Sequence, residues 1–113
     1  VTTLVIVIAL TLTAVAAAHR DAERPKWMDA FAWAVAICET GKGHNHPDFR
    51  HRAGSYEGAW GWYFGTWDLD KPKGYPDHAY QATPKQQLRV FRIGRSRGRY
   101  WGCIAHGGYR YWL

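Results

Sequence analysis

The chain has 113 residues, with 15 Lys or Arg against 9 Asp or Glu and a formal net charge of +6. That length excludes a multidomain enzyme, because it can bury the core of about one compact domain. The excess of arginine calls for an anionic partner; envelope polymers, nucleic acids and acidic lipids all qualify, so charge alone does not choose among them. Residues 1–18 carry no charge, and Leu4 to Leu10 form a nearly unbroken aliphatic run that ends in Ala14-Val15-Ala16-Ala17-Ala18, just before the charged stretch His19 to Arg24. This is the pattern of a signal peptide cleaved after Ala18. Left uncleaved, the same segment is long enough to act as a membrane anchor. Residues 19–25 then read as a polar linker, and 26–113 as the domain.

Pro25 can start a helix through Trp27, Phe31, Ala34 and Cys38, positions that recur at helical spacing and are widened by Trp33 and Ile37. Thr40-Gly41 and Gly43 end it, which leaves Glu39 on its last turn, where the negative end of the helix dipole raises a carboxyl pKa. Gly41 to Ser55 is polar and reads as a loop. Tyr56 to Trp67 is a dense aromatic and glycine block, irregular at its start, with a short helix expected over Tyr63 to Leu69. Asp70 to Tyr80 is a second loop. Thr83, Pro84 and Gln86 form a capping box that starts a helix with Leu88 and Phe91 inward and Arg89 and Arg92 outward, ending near Gly94 or Gly98. The tail from Tyr100 is aromatic and contains Cys103. A mainly α domain with long loops is expected, α+β at most.

Cys38 and Cys103 are the only cysteines. In an exported chain they are expected to pair, closing a loop whose restraint contributes about 4 kcal/mol in the chain-entropy model. A carboxylate beside that staple, in a chain with seven Trp and seven Tyr, suggests exported carbohydrate chemistry: a general acid needs an upward-tuned pKa, and an apolar aromatic wall provides one. The alternative for Glu39 is an ordinary surface glutamate at a helix end.

Five short motifs occur in a fixed order: the tryptophan-led helix ending in Cys38-Glu39-Thr40-Gly41, the Tyr56-x-Gly58-Ala59 segment, Thr66-Trp67, the helix start Thr83-Pro84-x-Gln86-Gln87-Leu88, and Trp101-Gly102-Cys103. In these, Trp27 to Trp112 resembles the catalytic domain of resuscitation-promoting factors, small lysozyme-like domains akin to lytic transglycosylases. The resemblance implies a lysozyme-like fold, Glu39 as the catalytic acid, Tyr56 and Thr66 as cleft residues, and a Cys38–Cys103 disulfide. It implies cleavage of the MurNAc–GlcNAc β-1,4 bond in peptidoglycan. Gly61 stands where that family commonly has a glutamine, and the loop from Glu39 to Tyr56 is longer than is usual there.

Most glycosidases use two carboxylates. The transglycosylases that the chain resembles use one, because a hydroxyl of the sugar itself closes onto the anomeric carbon. Asp48, Glu57 and Asp68 are the candidates for a second, with Glu57 nearest in motif terms and otherwise a solvated side chain. Among the aromatics, Tyr56, Trp60 and Trp62 are assigned to the cleft as sugar platforms, and Trp27, Phe31 and Trp67 to the core. His44, His46, Asp48 and His51 have the ligand types of a zinc site but not the spacing of a closed one, so no metal and no cofactor are expected. Arg89, Arg92, Arg95, Arg97 and Arg99 could grip phosphates, but the leader and the cysteine pair argue against nucleic acid. The partners expected are peptidoglycan strands, met by a secreted or envelope-bound monomer. A non-catalytic glycan-binding module of the same fold is the alternative from another functional class.

Overall fold

A computed structural model describes residues 23–113; the leader 1–18 and residues 19–22 of the linker lie outside the described residues. Helix α1 spans Ala30–Ala36 and is capped by Asp29, whose carboxylate accepts the Ala32 N–H at 3.0 Å. The sequence reading starts this helix at Pro25. The correction follows from the cap: Asp29 offers the free helix N–H groups an acceptor, and the chain before it forms a turn closed by Met28 N–H on the Pro25 carbonyl. Trp27 therefore precedes the helix and is 37% exposed rather than in the core. Past Ala36 the helix widens into a π-helical turn over Ile37–Gly41, a feature that recurs at functional sites.

A three-stranded antiparallel sheet follows, made of β1 (Arg52–Ala53), β2 (Tyr56–Glu57) and β3 (Trp62–Tyr63) in that order. Helix α2 (Phe64–Asp70) lies where a short helix is expected. A 3₁₀ turn at Ala79–Gln81 leads into α3 (Pro84–Ser96), whose capping box is complete: Gln86 N–H donates to Thr83 Oγ1, and Thr83 N–H to Gln86 Oε1. Leu88 and Phe91 face inward, and Arg89 and Arg92 outward. Helix α4 (Gly102–Ala105) and a 3₁₀ turn at Gly108–Trp112 close the chain, with Cys38 and Cys103 joined in a disulfide. The domain is mixed α and β, with helices predominating.

The core is built from indole rings. Trp60 stacks on Phe91 at 4.8 Å, Phe91 meets Trp101 at 4.8 Å, and Trp62 packs against both Trp60 and Trp67. Buried rings of this size dominate the apolar area removed from water. Three of their N–H groups also find carbonyls: Trp60 on Ala32, Trp101 on Trp60 and Trp67 on Pro76. Gly94 lets α3 close on this cluster, since a Cβ there would stand 2.7 Å from Trp101 Cη2.

Gln87 is fully buried and uses its whole amide: Oε1 accepts Ala59 N–H, and Nε2 donates to Phe49 and Ala82. One α3 side chain thereby fixes both the polar loop and the aromatic block, with both of its N–H donors and its oxygen engaged.

Candidate active site

The π-helical turn sets the position of Glu39. Thr40, beside it, donates its hydroxyl to the Ala59 carbonyl at 2.7 Å and accepts Asp48 N–H at 3.2 Å, tying the helix end to the aromatic block and the polar loop. Glu39 Oε1 accepts the Cys103 backbone N–H at 3.0 Å. The disulfide thus brings the tail to the carboxylate, and the tail supplies its hydrogen bond. Glu39 is half-buried and engages no cation directly among the described residues. Burial lifts its carboxyl above the usual glutamate range; the Cys103 N–H and the charge of Lys42 oppose that without cancelling it. The main cause is loss of water around the charged form.

A depression of about 210 Å³ is lined by Tyr56, Gly61, Trp62, Tyr63, Thr66, Arg99, Tyr100 and Trp101. Glu39 is not in its wall; its neighbours approach the lining residues, with Thr40 Cγ2 3.9 Å from where a Cβ on Gly61 would be and Cys103, which donates to Glu39, two residues after Trp101. At the Arg99 end, Asp70 is fully buried and accepts hydrogen bonds from Arg97 at 2.8 Å and from Arg99 at 3.0 and 2.8 Å. Burial pushes the Asp70 pKa up, but the two guanidiniums outweigh it and hold the carboxyl below the usual range.

Of the residues assigned to the cleft, Tyr56 and Thr66 line the depression, and Tyr56 is 55% exposed. Trp60 is a correction. It is completely buried, because its ring is sandwiched into the α3 contact and its N–H satisfied by Ala32. Trp62 is also buried. It forms part of the floor but offers no free face for stacking. Glu57 is corrected too: it is buried rather than solvated, with Oε2 2.8 Å from His78 Nδ1 and Oε1 accepting Ala79 N–H. Asp48 and Asp68 remain exposed and engage His51 and Lys71 respectively.

The histidines are not brought together. His46 contacts the Pro47 carbonyl and packs edge-on against Trp33 and Phe49, and among the described residues no three His, Cys, Asp or Glu side chains are gathered as a metal site.

Tyr63, Tyr100 and Arg99 line the depression and were not singled out as cleft residues from sequence. The signal for Tyr100 was present, since pairing Cys103 with Cys38 carries Tyr100-Trp101 to the neighbourhood of Glu39. Among the described residues no helix is long and apolar enough to cross a membrane. No family model, curated protein or solved structure matches the chain significantly.

Proposed function

We propose that this chain cleaves peptidoglycan glycan strands at the MurNAc–GlcNAc β-1,4 bond, with Glu39 as general acid. The observation that carries the reading is a glutamate with a burial-raised pKa, without a direct cation partner among the described residues, whose neighbours Thr40 and Cys103 adjoin the lining of an aromatic depression. A carboxyl in that state holds its proton at higher pH than an exposed glutamate and can pass it to a leaving glycosidic oxygen. Tyr56, Tyr63 and Tyr100 provide ring faces for pyranoses, and Thr66 a hydroxyl. The lining of the depression holds no carboxylate and Asp70, behind Arg99, is tied up by two guanidiniums, so the single-glutamate route of lytic transglycosylases is favoured over a two-carboxylate mechanism. The disulfide agrees with a secreted or envelope location, and the signal-peptide reading of residues 1–18 points the same way.

Glu39→Gln tests this. The amide keeps the acceptor for Cys103 N–H but has no acidic proton, so stability should shift by under about 1 kcal/mol. A general acid contributes roughly 10²–10⁴-fold in rate; turbidity clearing of purified walls should fall by at least the lower figure, with wall binding kept. Equal clearing by mutant and wild type would falsify the enzymatic reading. Gly61 favours a second reading, a non-catalytic wall-binding module, because the position has no side chain to contact a sugar. Binding by both proteins with clearing by neither would select it.

A further inference from the structure

The arginines of α3 and the segment after it are mostly engaged. Arg97 and Arg99 serve Asp70, Arg95 lies over the Phe31 ring at 5.3 Å, and Arg92 pairs with Asp29 at 3.1 Å while its side chain stays 57% exposed. Arg89 is exposed and pairs with no carboxylate among the described residues. It borders a groove of about 380 Å³ formed by Trp27, Lys85, Leu88, Arg89 and Arg92, which shares no residue with the depression beside Glu39. Lys85, Arg89 and Arg92 follow one another at helical spacing and fall on one face of α3, a row about 10 Å long at 1.5 Å rise per residue. Leu88, nearly buried, is the floor, and Trp27 is a side wall.

We propose that this groove binds an anionic strand of the phosphodiester-linked polyol type, independently of any chemistry at Glu39. The charge is complementary: three cations in a row match successive phosphates, Arg92 sharing its charge with Asp29, and the five residues that form the groove include no carboxylate. A strand is favoured over a membrane because it can enter the concavity and pack along its floor, which a planar headgroup surface does not reach. It is favoured over nucleic acid because single-strand binding stacks successive bases on several aromatic rings, and the groove has one ring, Trp27, with Lys85 Nζ 5.6 Å from its centroid. The polyol backbone needs no stacking platform and can pack on the apolar floor.

The test uses a synthetic glycerol-phosphate oligomer and the full chain, followed by the indole N–H resonance of Trp27 and by calorimetry at low salt. Binding should weaken with salt at a slope near −2 in log K against log salt, as roughly 0.7 per neutralised phosphate predicts for three contacts. Lys85→Glu with Arg89→Glu should reduce affinity at least tenfold while circular dichroism and Glu39-dependent wall clearing stay unchanged. Lys85→Gln with Arg89→Gln, which leaves the surface uncharged at both positions, should give an intermediate loss. Absence of binding to the oligomer, or binding unaffected by both double variants, overturns the proposal. Tighter binding to vesicles rich in anionic lipid, or to single-stranded DNA of equal phosphate number, with the same Trp27 shift and the same variant loss, overturns it in favour of those partners.

Discussion

Glu39 and Asp70 are both carboxylates withdrawn from water, and the fold treats them in opposite ways. Asp70 receives two guanidiniums and is held ionised. Glu39 receives one backbone N–H, too little to offset its lost hydration, and its pKa goes up. Burial alone therefore does not mark a functional carboxylate. What separates the two is whether the cost of burying the charge is compensated, and at Glu39 it is not.

Removing the staple should have the largest effect on stability. Cys38→Ser with Cys103→Ser opens a loop with a sequence separation of 65, worth about 4 kcal/mol in the chain-entropy model, and loosens the tail that supplies the hydrogen bond to Glu39. Thermal melting should show the loss. Wall clearing measured well below the new midpoint should also fall, because Glu39 is less well positioned. A variant as stable and active as wild type would show that α4 docks without the covalent link.

Asp70→Asn comes next. Asparagine leaves Arg97 and Arg99 without a countercharge, at a cost of about 2 kcal/mol, below the figure for a fully buried pair because both guanidiniums stay partly in water. Since the folded pKa of Asp70 is depressed, its stabilisation is full above the unfolded carboxylate pKa and is lost as pH falls through the folded value. The wild type should therefore lose this increment on acidification, and the Asn variant should lack that part of the acid dependence. Glu39 has the opposite sign: its raised folded pKa makes it a liability above that value, relieved as pH falls. Denaturation at several pH values, with each variant against wild type, separates the two.

Lys42→Gln is the smallest change. Lys42 lowers the Glu39 pKa through its charge, so removing it should raise that pKa further and move the alkaline limb of a wall-clearing pH profile upward, with little change in melting temperature. A limb moving downward, or one unchanged beyond error, would mean that Glu39 does not set it.

Much of this arrangement was legible in the sequence where a local rule decided it. The Thr83–Gln86 capping box fixed the start of α3, and the helical spacing of Leu88 and Phe91 gave its inward face. The cysteine pair was readable from there being only two. The aromatic block was harder, because a tryptophan is equally suited to a core and to a sugar platform. Trp60 went inward because Phe91 and the Ala32 carbonyl complement its ring and N–H, and neither contact is local in sequence. Glu57 was misread for the same reason: its partner His78 lies across a loop. The arginine run reads as one basic strip, yet Asp70, Phe31 and Asp29 engage four of its members and leave Arg89 without a carboxylate among the described residues.

The most direct measurement is a ¹³C carboxyl titration of the folded chain, resolving Glu39 and Asp70 by their assigned resonances. Glu39 should titrate above the ordinary glutamate value of about 4.3, and Asp70 below the ordinary aspartate value of about 3.9, with the alkaline limb of wall clearing following the Glu39 midpoint. A Glu39 midpoint at or below the ordinary value would contradict the assignment of this carboxyl as the proton donor.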